Sequence, residues 1–161
     1  MMNEGVNEMT TFDFGNGPVP AHRHPNGGGW VADTATVSET AYVGPDAWVS
    51  EGAVVSGNAK VTGHAAVFGH AMVSGDARVS GNAVVYDNAR VSDCAVVTGW
   101  VVVFDNAEVS GNARVSDDAW VSGDAVVTGH AKVYDYAEVS GNAEVSGNAE
   151  VSGNAKVFDN G

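Results

Sequence analysis

No leucine, isoleucine or glutamine occurs in the 161 residues. Ordinary globular interiors interdigitate large aliphatic side chains at near-crystalline density, so a core of that kind is excluded. Any interior here must be thin, regular and filled by valine and alanine. The single cysteine, Cys94, excludes an internal disulfide and fits a reducing compartment. Basic residues are also scarce: seven Lys and Arg stand against 20 Asp and Glu, for a formal charge of -13. That balance argues against a nucleic-acid or anionic-membrane surface. No apolar run approaches the roughly 20 residues that span a bilayer. Met1 to Thr11 has neither the basic nor the apolar part of a signal peptide, so a cytoplasmic protein is expected.

What the chain does contain is one six-residue unit, of which Val55-Ser56-Gly57-Asn58-Ala59-Lys60 is typical, repeated in a single phase from Val31 to Gly161. Valine fills the first place of all 22 units, and alanine fills the fifth except at Val101 and Gly161. A period of six fits neither the 3.6 of a helix nor the plain two of a lone strand, so the repeat itself is the structural element. Residues 31–161 therefore form one repeat domain, and residues 1–30 stand outside it.

In an extended segment, residues two apart share a face. The alanine and the next valine (Ala59 and Val61) point one way, while Lys60 and Thr62 point the other. The Gly-Asn, Gly-His and Asp-Asn pairs between them are turn formers that accept positive φ. Each unit is thus a short strand and a corner. Three of them close a triangular coil of 18 residues with valine and alanine inside. The pattern of an aliphatic residue followed four places later by a small one resembles the hexapeptide-repeat left-handed β-helix superfamily. The runs of V-S-G-N-A and V-Y-D-N-A most resemble its hexapeptide-only members in bacteria and their phages. The resemblance implies an all-β, single-stranded left-handed parallel β-helix of about seven coils. A phage origin would make the location the host cytoplasm.

The amino-terminal segment 1–30 is expected to cap the open end of the first coil, since a stack of coils exposes an unpaired edge and an open core. Met1 to Thr11 is polar and expected to fray. Phe12 and Phe14 are candidates to plug the core. His22 and His24, at i and i+2, share one side of a strand and could chelate a metal, although capping or packing is the favoured role. The last unit stops in mid-repeat without a helix or cap, and Glu144, Glu150 and Lys156 would discourage edge-to-edge growth there.

Residues 18 apart stack in columns, which sorts the outward places by face. Two faces read as solvated. The first pairs the ladder Ser38 to Ser146 with a column that includes Arg90, Glu108 and Glu144, charges that break the flat surface ice binding needs. The third face carries Trp30, Trp48, Ala66, Val84, Val102 and Trp120, beside Ala32, Ser50, Phe68, Tyr86 and Phe104. No charge interrupts it before Glu138. An apolar strip of this length would expose on the order of several hundred Å², as much as the largest patch on a soluble monomer, so it is expected to be buried. The superfamily is typically trimeric, which implies a homotrimer with Trp30, Trp48, Phe68, Val84, Tyr86, Val102, Phe104 and Trp120 at its interface.

Two corner columns flank that face. One holds His64, Trp100 and Asp118, and the other holds His70, Asp87 and Asp105. Brought together between subunits, these six would edge a cleft for a small molecule or protein partner. His64 and His70 resemble the subunit-bridging zinc ligands of gamma-class carbonic anhydrases, but their spacing is six rather than five and a third histidine is missing. Acyltransferases of the superfamily carry a histidine on an inserted loop and a carboxyl-terminal helix. Neither is present, and His130 stands alone on the remaining corner. The expectation is a non-enzymatic, homotrimeric scaffold or binding protein without cofactor or metal. An acyltransferase-like enzyme and a phage-type protein that sequesters a host signalling molecule or inhibits a defence protein are the alternatives.

Overall fold

The computed structural model describes residues 10–159. Most of the stretch expected to fray, and Gly161 in the final unit, lie outside the described residues.

Most strands hold only two residues, the sixth place of one unit and the first of the next, as in Lys60–Val61. Each pairs in parallel with the strands 18 residues away: Met72 lies beside Val54 and Arg90, and Val84 beside Ala66 and Val102. The pairing builds three sheets, one of ten strands and two of seven, which form the sides of a prism about seven coils long. There is no helix among the described residues. The protein is therefore an all-β parallel β-solenoid. Its core is the column of first-place valines and fifth-place alanines, nearly all at 0–1% exposure from Val31 to Val139. Burying each valine side chain contributes about 1.5–3 kcal/mol before conformational entropy is counted.

Backbone hydrogen bonds explain why the coil turns at every unit. Amides of the sixth and second places donate to carbonyls one coil on, as Lys60 does to Ala77 and Ser56 to Val73. The fifth-place amide closes the corner onto the second-place carbonyl, as Ala59 does to Ser56. The third place has positive φ in every unit from Glu51 to Gly153. Only the first central residue of each turn is left-handed there, the pattern of a type II′ turn, which glycine adopts without strain.

Where that place is not glycine in this run, it is acidic, and the carboxylate does a second job. Glu51, Asp87, Asp93, Asp105, Asp117 and Asp135 each accept a hydrogen bond from the third-place amide of the next coil, at 2.9–3.4 Å. An acidic residue thus offsets its backbone strain by tying two coils together.

The first three strands depart from the repeat. Strand β1 (Thr11–Asp13) and strand β2 (Pro18–Arg23) form an antiparallel hairpin. The hairpin adds to the edge of strand β3 (Trp30–Ala32), with His22 opposite Val31. The loop that follows runs along the end of the first coil. Asn26 accepts from the Val43 amide, Gly29 donates to the Val43 carbonyl, and the buried His24 places Nε2 2.8 Å from the Ala41 carbonyl. A Cβ on Gly27 or Gly29 would collide with Val43, so the close approach requires glycine.

Candidate functional site

Phe12 and Phe14 do not plug the core. They lie outside it, because the strand that holds Phe12 and leads into Phe14 extends the ten-stranded sheet rather than crossing the open end. Phe12 stacks on Trp30 at 4.8 Å and Phe14 meets Trp48 at 5.3 Å. From Trp48 the rings continue through Phe68, Tyr86 and Phe104 to Trp120, with centroids 5.1–5.9 Å apart. The two columns of the third face and the hairpin therefore share one continuous ladder of rings. Offset or edgewise pairs of this kind contribute about 0.5–1.5 kcal/mol each beyond their burial.

This stacking leaves less of the face open than the columns alone imply. Trp30, Trp48, Phe68, Val84, Tyr86, Val102 and Phe104 are half-buried within one chain, whereas Trp120 is 48% exposed. The most exposed rings lie at the adjoining corner, where Trp100 and Tyr136 are both 64% exposed on either side of Asp118. Burial, and then the carboxylates of Asp87 and Asp105, push the Tyr86 phenol above its ordinary value.

The other corner forms a groove of about 460 Å³, in which His70, Asp87 and Asp105 are joined by Glu51, Asn88 and Asp124. A single chain thus brings together three of the six cleft residues read from the sequence. His64, Trp100 and Asp118 lie on the corner across the aromatic sheet. Asp87 and Asp105 each already use one oxygen to accept an amide from the next coil. His130 borders a separate hollow of about 490 Å³ with Lys132, Asn148 and Glu150. No cluster of three or more metal-ligating side chains occurs among the described residues. His22 and His24 are directed apart: His22 Nδ1 lies 2.7 Å from Asp33 Oδ1, and His24 turns to the Ala41 carbonyl.

Sequence reasoning missed a third concavity, a pocket of about 400 Å³ between the hairpin and the first coils. Phe14, Val19 and Pro20 wall one side and Trp48 and Phe68 the other, with Ser50, Asp33 and Glu51 also lining it. The signal was present in the column Ala32, Ser50, Phe68, Tyr86, Phe104. Its first two members are too small to continue the stack, and the hairpin roofs the space they leave. Asp13 Oδ1 accepts from the Gly15 and Gly17 amides and fixes the overhanging loop.

These features define a parallel β-solenoid repeat protein whose distinctive surface is an aromatic sheet bordered by a groove and a pocket. The chain is similar to the family described as the YdcK beta solenoid repeat over residues 71–87, 77–93 and 107–123. Each matched window runs from a fifth-place alanine (Ala71, Ala77 or Ala107) to a third-place corner residue (Asp87, Asp93 or Gly123), close to one coil. No curated protein and no solved structure matches the chain. No helix among the described residues is long and apolar enough to cross a membrane.

Proposed function

We propose that this solenoid is a non-enzymatic scaffold that associates with copies of itself, as a parallel trimer, through its aromatic sheet. The observation that carries the reading is the ring ladder running from Phe12 to the exposed Trp120, beside a corner column that carries the exposed Trp100 and Tyr136. Tryptophan and tyrosine dominate the energetics of interfaces, and within the coils outward charge on this sheet begins only at Glu138, although the hairpin's Arg23 lies over the Trp30 ring at 4.6 Å. The chain's own hairpin already covers Trp30 and Trp48, so the association surface runs from Phe68 to Trp120 and the Trp100 corner. Around a threefold axis, the corner with His64, Trp100 and Asp118 would meet the neighbouring corner with His70, Asp87 and Asp105. Three clefts of mixed aromatic and acidic character would result, suited to a small molecule or a partner protein.

Light scattering on the full chain tests the proposal. A trimer at micromolar concentration, reduced to monomer by Phe68→Glu, Tyr86→Glu or Phe104→Glu, supports it. A wild-type monomer at that concentration contradicts it.

A further inference from the structure

We infer that the pocket under the amino-terminal hairpin binds an organic ammonium ion carried on an aromatic or similarly apolar body. Its size, about 400 Å³, lies within the range of small-molecule sites. Its walls include the rings of Phe14, Trp48 and Phe68, together with Val19 and Pro20. Aromatic walls accept a flat apolar body by stacking and attract a cation through their negative faces.

Two polar features give the site direction. Ser50 is only 4% exposed, yet its hydroxyl has no hydrogen-bond partner among the described residues. Such a group is costly to bury and is satisfied by a ligand that reaches it. Glu51, next in sequence, lines the same pocket. One of its oxygens accepts from the Gly69 amide, and the other has no partner among the described residues. Asp33, shared with His22, adds a second carboxylate. No lysine or arginine lines the pocket, and the chain carries -13 overall. An apolar body packed against these rings, under the hairpin, would place a cationic end toward Glu51 and offer a hydrogen-bonding atom to Ser50. An anionic ligand of the same shape would be repelled.

The site is complete within one chain and does not depend on the trimer. It is tested by calorimetric titration of the full chain with tryptamine, indole and indole-3-propionate, which share a ring and differ in charge. Tryptamine is expected to bind once per chain, about tenfold or more tighter than indole-3-propionate, with indole between them. Ser50→Phe places a ring where the next three coils have one. It should abolish tryptamine binding while the circular dichroism melt stays that of a folded solenoid. Glu51→Gln keeps an acceptor for the Gly69 amide and should weaken tryptamine several-fold while leaving indole unchanged. The same binding should persist in Phe104→Glu, which separates this site from self-association. Equal affinity for the two charged probes, undiminished tryptamine binding in Glu51→Gln or in folded Ser50→Phe, or no tryptamine binding up to millimolar concentration would overturn the inference.

Discussion

The ten-stranded sheet and its two seven-stranded neighbours enclose the same valine and alanine interior, but their outer columns differ. One seven-stranded sheet stacks the exposed Lys60 beside Arg78 and Arg114 beside Lys132, so four of the seven basic residues of the chain occupy one column. Like charges directly opposite one another are unfavourable, and here they are relieved by solvent. The ten-stranded sheet instead stacks rings that cover each other and extends the stack into a hairpin outside the repeat. Inward places therefore specify the coil, while outward places are free to diverge face by face. Only one face has diverged toward dry contact.

The contrast is broken most severely by moving a charge from outside to inside. Val103 is fully buried, and Val103→Asp should cost several kcal/mol and abolish the cooperative circular dichroism melt at 37 °C. Its neighbour Val102 faces outward and is half-buried. Val102→Glu should leave the fold intact but weaken self-association by about tenfold or more in sedimentation equilibrium. Val96 occupies the same place one unit earlier, between Arg78 and Arg114 on the basic column. Val96→Glu should leave association unchanged and raise stability by about 0.2–1 kcal/mol.

Corners provide a smaller test. Asp105 combines a φ of 58° with a carboxylate on the Gly123 amide at 3.1 Å. Asp105→Ala keeps the strain and loses the bond, and should cost about 1 kcal/mol in denaturant unfolding. Asp105→Gly loses the bond but relieves the strain, and should cost less. The smallest effect is at high pH. The Tyr86 phenol ionises less readily in the folded chain than at its ordinary value of 10.0. Its contribution is therefore complete below that value and declines as pH rises through the higher folded value. Tyr86→Phe should remove that part of the alkaline decline in melting temperature.

The coil was legible in the sequence because a period of six with two fixed apolar places allows only one way to bury them. Stacking at 18 followed directly, and Met72 does lie between Val54 and Arg90. The ring content of the third face was legible for the same reason. The hairpin was not: the alternation of Phe12, Asp13 and Phe14 marks a strand but not the surface it covers. The pocket depends on that placement, so Ser50 read only as a small member of the aromatic face's second column. Asp87 and Asp105 were visible as corner acids, but their bond to the next coil requires the register between φ and the stacked amide, which composition does not carry.

The central claim is that the aromatic sheet is a contact surface between copies of the chain, and sedimentation equilibrium of the full chain at micromolar concentration tests it most directly. A threefold mass, falling to that of one chain in Phe104→Glu, is the predicted result. A single-chain mass for the wild type would contradict it.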